Sequence, residues 1–400
     1  VALDGEIPVF PCTYENIVDE VKPGHRVLIN DGLVRALATE SEDGELRCRV
    51  TVGGKVTTGK GVNLPDSDIS APAITERDWE CVRFAVDKGL DYLALSFVRR
   101  AEEVRDLKRR LDALCADDSC GLTLEGPTSV QSIPVIAKIE KPQAVQNIED
   151  ILEVSDGVMV ARGDLGVEMD LASVPITQKL IINQAQEYGK PCIVATQMLE
   201  TMIERPTPTR AEASDVANAI FDNADAVMLS GETAVGKYPA LAVQTMHRIA
   251  VLTEARLREL PQESTPLTRA LERGDQMAAV VHGAWRIALD IHARIVAVWS
   301  QTGQAARYLS FIGLRVPIIA FSSDVRAVRR MALLHGVFPV HESTHPVHRS
   351  DFDRMVNSFV LQRELATEGD PIVLLSGKPF GKPGSINTVA IRTVTAPRAR

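Results

Sequence analysis

The pattern of apolar and polar positions changes character near residue 65. Before it, the chain reads as short hairpins. Apolar runs at 26–30 and 33–37 flank Asp31-Gly32, a pair suited to a tight turn between strands. A second turn at Glu42-Asp43-Gly44 leads into a run at 45–52, and Gly53-Gly54 leads to a short strand expected near 55–57. After Pro65, short apolar runs alternate with helical periodicity. The runs 92–97, 135–140, 157–161, 192–196 and 226–230 suit buried strands, and helical patterns at 101–114, 143–152, 176–188 and 210–221 separate them. Thr75-Glu76-Arg77-Asp78 opens a further helix, with Trp79, Val82 and Val86 on one face. Both this stretch and Thr209-x-x-Glu212 have the form of a capping box. The alternation predicts a parallel sheet or barrel. A closed (β/α)8 barrel needs eight strands and about 250 residues, whereas five strands are counted here.

Residues 256–275 are charged, carry Pro261 and Pro266, and read as a linker. An α/β pattern then resumes, with helices expected at 276–290, 304–311 and 324–335 and strands at 295–299, 317–321, 371–375 and 388–394. The 400 residues are 45% hydrophobic but only 4% aromatic, so the core is aliphatic, as buried parallel strands prefer. With 24% charged residues, disorder is excluded as the main state. A net charge of −9 without a basic run argues against nucleic acid; anionic substrates stay open, because a few local cations and a metal can dominate a pocket. No apolar run approaches the ~18 residues of a membrane span. Six cysteines without a CxxC read as reduced thiols of a cytoplasmic protein, and His345-x-x-His348 as a solvated loop.

Candidate chemistry lies at the strand ends. In 135–140 the period of two puts Lys138 and Glu140 on one side, opposite Val135, Ala137 and Ile139. A lysine and a glutamate there are costly unless paired, metal-bound or catalytic. The next strand runs into Arg162-Gly163-Asp164, which places a second carboxylate at a neighbouring end. Two such carboxylates suit one Mg²⁺ or Mn²⁺ with positions left for substrate. A salt bridge among Lys138, Glu140, Arg162 and Asp164 is the purely structural alternative. Ser96, Thr196-Gln197 and Ser230-Gly231-Glu232-Thr233 end the other strands. With no His or Cys nucleophile, the set argues for stabilising an enolate or phosphoryl group rather than for acyl transfer.

The stretches 60–65 (KGVNLP), 136–140 (IAKIE), 155–166 (SDGVMVARGDLG), 189–203 (GKPCIVATQMLETMI), 208–219 (PTRAEASDVANA) and 228–233 (MLSGET) resemble pyruvate kinases, in order and over nearly the whole chain. The resemblance implies an incomplete TIM-type barrel at 66–256, a small β-barrel lid domain at 5–65, a linker at 257–274 and a regulatory α/β domain at 275–396. It implies metal ligation by Glu140 and Asp164. It makes Lys138 the stabiliser of phosphoryl group and enolate, and Thr196 a member of the enolate-protonating route. The backbone around Arg162 and Gly163, with Thr196, would hold the carboxylate of phosphoenolpyruvate or pyruvate. Lys60 would contact ADP or ATP, and Ser96, Phe97, Ser230 and Glu232 would line the pocket. Ser300, Thr302 and Gly303, with Lys378 and Lys382, form a candidate site for a phosphorylated effector. A homotetramer is the usual assembly of the family.

Only Val1-Ala2-Leu3-Asp4 precedes the lid, at most a remnant of a third barrel strand. The resemblance therefore places the first two βα units, with a phosphate-gripping arginine and most K⁺ ligands, outside this sequence. It leads to the expectation that these 400 residues alone are inactive or nearly so. The competing readings are a non-catalytic truncated relative that pairs with a complete one, and a metal-dependent pyruvate-enolate lyase or aldolase.

Overall fold

The computed structural model of the chain describes residues 9–42, 44–116, 132–260, 267–378, 380 and 384–396. The expectation for residues 1–4 and the part of the linker at 261–266 lie outside them, as does Lys382.

The first region is an antiparallel sheet of β1 (Arg26–Ile29), β2 (Val34–Glu42), β3 (Glu45–Val52) and β4 (Val62–Asn63), in the order β3-β2-β1-β4. The turn between β1 and β2 puts Asn30, Asp31 and Gly32 all at positive φ. The short strand expected near 55–57 does not form; those residues are irregular and mostly exposed. The free edge of β1 is taken by β4 instead, through Leu28 with Asn63 and Ile29 with Val62. By its hydrogen bonds the lid is an open sheet among the described residues.

Five parallel strands follow in consecutive order: β5 (Leu93–Leu95), β6 (Val135–Ile139), β7 (Gly157–Ala161), β8 (Cys192–Ala195) and β9 (Ala226–Met228). They form the expected partial barrel, which hydrogen bonds do not close. Alternation splits each strand between two environments. Val135, Ala137, Ile139, Val158, Val160 and Val194 pack outward against helices. Ile136, Met159 and Ala195 turn to the inner face, where Tyr92, Met228 and Leu333 join them. Leu333 comes from the C-terminal region, so that region abuts the inner face.

The helices flanking this sheet begin where side chains can take up free amides. Thr75 and Thr209 each cap through a complete capping box, starting the helices Glu76–Asp87 and Arg210–Phe221. The stretch expected as one helix at 143–152 is broken at Asn147 into Pro142–Gln146 and Ile148–Val154, and Asn147 donates instead to the Arg99 carbonyl at 3.0 Å. Much of the expected linker is helical. Pro239–Glu259 runs into it, and Thr268–Glu272 forms a separate turn whose Arg269 guanidinium stacks 3.8 Å over Tyr188.

The C-terminal sheet has the order β12-β11-β10-β13-β14, with β10 (Ile295–Trp299), β11 (Ile318–Ser322), β12 (Val337–His341), β13 (Pro371–Gly377) and an antiparallel β14 (Ile386–Thr393). Helices cover both faces, with separate apolar clusters around Leu309 and Phe352. No helix among the described residues is long and apolar enough to cross a membrane. Cys12, Cys48, Cys81 and Cys192 are free thiols.

A half-buried polar cluster ties the two larger regions together. Asp225, before β9, accepts from the Cys192 amide at 2.9 Å and from the His335 amide at 3.3 Å. The His335 imidazole lies 3.6 Å from Glu254 on the helix Pro239–Glu259. Burial pushes the Asp225 carboxyl up to about 6. The Glu254 carboxylate beside it raises the His335 imidazole above its ordinary value, against a smaller opposing effect of burial. Folding thus favours protonated His335. That contribution is full below the unfolded pKa and disappears as pH rises through the folded one. His335→Gln should therefore be less stable than the parent at pH 6, with the deficit shrinking by pH 8.5. Melting temperatures across that range check this, and parallel curves for the two proteins would contradict it.

Candidate active site

The carboxyl ends of β5 to β9 gather most of the residues singled out from the sequence. Because Glu140 follows β6 in the same alternating phase as Lys138, both reach the same side. Lys138 Nζ lies 2.6 Å from Glu140 Oε1 and donates to Ser96 Oγ at 2.9 Å. Glu140 is 1% exposed. Its second oxygen accepts from the Phe97 amide at 2.5 Å, and Phe97 adopts φ 54° to present it. Ser96 and Phe97 thus enter the site as supports for Lys138 and Glu140.

Asp164 stands in the first turn of the helix Arg162–Glu168, directly after β7. Burial pushes its carboxyl above the ordinary range. The negative charge of Glu140 adds to this, and Lys138 opposes it. Two carboxylates crowding one another in a half-dry site are relieved by a cation. Among the described residues no three or more His, Cys, Asp or Glu side chains converge to hold a metal. Glu140 and Asp164 are the carboxylates at this end of the sheet that act on one another. Hard oxygen ligands that leave most positions open fit Mg²⁺ or Mn²⁺, which retain water and substrate oxygens.

Thr196 is the second focus. It follows β8 at φ 69°, accepts from the Gly163 amide at 2.8 Å and donates to the Ala195 carbonyl at 2.6 Å. A Cβ on Gly163 would stand 3.2 Å from Thr196 Oγ1 and crowd it, so the close approach is easiest with glycine. Arg162 turns away from the pocket into protein. Its guanidinium pairs with Asp215 and donates to the Thr196 and Gln197 carbonyls, the latter at 2.9 Å, fixing the loop after β8. Glu232, also 1% exposed, joins two strand ends by accepting from the Leu199 amide at 2.9 Å and the Ser230 amide at 2.8 Å. Both side chains hold backbone; the expected pocket-lining position of Glu232 is occupied by a brace.

The lid meets this region through residues that sequence reasoning did not single out. Asn63 and Lys141 both donate to Glu168 Oε1 at 2.9 Å, and Gly32 comes close to Val167. Asp31 on the same turn adds negative charge felt at Asp164. The Asp-Gly pair was legible only as a turn, but Lys141 is adjacent in sequence to Glu140 and was there to be noticed. Lys60 stands exposed before β4, without a hydrogen bond or ion pair to the cluster among the described residues.

Of the residues expected to hold an effector, Ser300 and Thr302 line one small pocket with Gln304 and with Gly377 and Gly384 at the β13–β14 hairpin. Ser300 is buried, its amide bonded to the Phe321 carbonyl. Gly303, at φ 84°, begins the helix Gln304–Phe311. Lys378 is exposed, and its backbone pairs with the Asn387 side chain. The space between the Thr302 turn and the β13–β14 hairpin is ≈ 20 Å³, enough for about one water.

Fold and site together define an α/β barrel-type domain with acidic and cationic groups at its carboxyl face, followed by a separate α/β unit. The family model "Pyruvate kinase, barrel domain" matches residues 4–243, and "Pyruvate kinase, alpha/beta domain" matches 278–392. The chain is 38% identical over 98% of its length to a pyruvate kinase of Staphylococcus saprophyticus, spanning 64% of that protein. It is 39% identical over 96% of its length to those of Geobacillus stearothermophilus and Mycobacterium intracellulare, spanning 63% and 76% of them. The chain belongs to the pyruvate kinase family.

Glu232 gives a stability test away from the metal-type carboxylates. Glu232→Ala leaves two buried amides unpaired and should cost about 2–4 kcal/mol, whereas Glu232→Gln should cost less than half of that. Urea denaturation measures both. A loss below about 0.5 kcal/mol in the alanine variant, typical of a surface change, would mean that the brace carries no strain-bearing role.

Proposed function

We propose that the pocket at the carboxyl ends of β6 to β8 transfers the phosphoryl group of phosphoenolpyruvate to ADP, giving pyruvate and ATP. The observation that carries the reading is the Lys138 ammonium held 2.6 Å from a fully buried Glu140, with Asp164 at the next strand end.

In the reaction the bond from phosphorus to the enol oxygen breaks and a bond to a terminal ADP oxygen forms. The released enolate then takes a proton at its terminal carbon. Negative charge builds on the enol oxygen and the moving phosphoryl group, and a preorganised ammonium stabilises it there. Ser96 and Glu140 fix Lys138 in that place. A divalent ion on Glu140 and Asp164 supplies Lewis-acid neutralisation of the same charge when bound. The Gly163–Thr196 contact shapes the seat for the substrate carboxylate, and the Thr196 hydroxyl lies on the route by which the enolate is protonated. Lys60 reaches the nucleotide from the lid. The same reading extends, by likeness to the family, to ATP binding, use of K⁺, a cytoplasmic location and assembly as a homotetramer.

Binding separates the site from turnover. The parent should bind one Mn²⁺ in this pocket, by electron paramagnetic resonance titration, and Glu140→Gln and Asp164→Asn should each weaken it by about tenfold or more. Lys138→Met should keep Mn²⁺ while lowering ATP formation by on the order of 10²–10³. Unchanged Mn²⁺ affinity in both acid variants, or unchanged turnover in Lys138→Met wherever turnover is measurable, would remove the reading.

A further inference from the structure

Glu168 is a further buried carboxylate beside the pocket, and the proposed chemistry gives it no part. It closes the short helix Arg162–Glu168, and its side chain is 1% exposed. Asp164 stands in the first turn of the same helix, four residues earlier, so the two carboxylates are neighbours on one face. Two donors fall on a single oxygen of Glu168. Asn63 Nδ2 from the lid and Lys141 Nζ each lie 2.9 Å from Oε1. Oε2 is buried without a hydrogen-bond partner among the described residues. Arg26 in β1 feels the charge of Glu168, but it is paired with Asp66 at 2.7 Å.

Lys141 is the cation that this arrangement controls. It directly follows Glu140, its side chain is 13% exposed, and its ammonium lies 6.0 Å from the centre of the Phe97 ring. The Phe97 amide is the group that holds Glu140. Lys141 therefore stands at the border of the pocket, beside the support of Glu140 and, through Glu168, one helical turn from Asp164. Lys138 already sets one fixed ammonium against Glu140. An untethered second ammonium next to two carboxylates that crowd one another would pair with them and oppose a divalent ion at the same oxygens. Paired with Glu168, Lys141 stays where it is, because its departure would strand a buried charge.

We infer that Glu168 is a positioning residue for the metal pocket: it holds Lys141 away from Glu140 and Asp164 and so leaves their oxygens to a divalent cation. The inference rests on the reading of those two acids as metal ligands. In this role Glu168 acts through Lys141 and contacts neither the cation nor the substrate. The lid meets the same helix at two points, Gly32 against Val167 and Asn63 on Glu168, so the oxygen that restrains Lys141 also anchors the lid.

Mn²⁺ titration followed by electron paramagnetic resonance tests this on the 400-residue chain, without turnover. Glu168→Gln keeps the shape of the side chain and an acceptor for Asn63 but releases Lys141, and should weaken Mn²⁺ binding about fivefold or more. Adding Lys141→Gln to that variant should bring the affinity back to within about twofold of the parent. A merely structural ion pair predicts the reverse, with the double variant at least as weak as Glu168→Gln. Lys141→Gln alone leaves Glu168 in place and reads the same point if Glu168→Gln does not fold. It should bind Mn²⁺ as tightly as the parent or more tightly. Parental affinity in Glu168→Gln, no recovery in the double variant, or a loss of about threefold or more in Lys141→Gln would each overturn the inference while the metal pocket stands. Absence of Mn²⁺ binding by the parent would remove the metal reading and this inference with it.

Discussion

One buried ion pair organises the carboxyl face of this protein. Glu140 is almost wholly removed from water, and a carboxylate in that position is tolerated only because Lys138 and the Phe97 amide occupy its two oxygens. The arrangement has a price in backbone freedom: Phe97 must adopt a left-handed conformation to aim its amide. In return the ammonium is held in one place, half exposed, between Glu140 and Ser96. A charge fixed before substrate arrives needs no reorganisation when negative charge develops beside it, which is the physical basis for assigning phosphoryl transfer to this pocket.

The surrounding polar residues divide their labour. The Arg162 side chain holds Asp215 and the carbonyls after β8, and Glu232, expected to line the pocket, holds the amides of Leu199 and Ser230. They make the loop carrying Thr196 rigid enough to sustain consecutive positive-φ residues at Thr196 and Gln197. Glu168 plays the matching part toward the lid, where Asn63 and Lys141 converge on one of its oxygens. At the other end of the strands, Asp225, His335 and Glu254 fasten the C-terminal region to the barrel. The two ends of one sheet thus carry different polar chemistry, a lysine–carboxylate cluster at the carboxyl end and a connecting cluster at the other.

Much of this was legible where local signals were strong. The helices Arg210–Phe221 and Gln276–Asp290 and the strand Ile295–Trp299 lie where caps and unbroken apolar runs placed them. β12 and the helix Arg349–Gln362 escaped notice. β12 is an edge strand with Pro339 inside it and only one fully buried residue, so its pattern is weak. β4 is two residues long and exists because β1 offers it an edge, a tertiary fact without a local signature. In the site, the period of two was enough to pair Lys138 with Glu140. It could not show that Arg162 faces inward, because its partners Asp215 and the Thr196 and Gln197 carbonyls are distant in sequence.

Crystals grown with Mn²⁺ provide the most direct measurement, through anomalous scattering at the manganese edge. The account predicts a single strong peak about 2 Å from carboxylate oxygens of both Glu140 and Asp164, with Lys138 still beside Glu140. A peak bound by other residues, or no peak between these two acids while Lys138 stays in place, would contradict it.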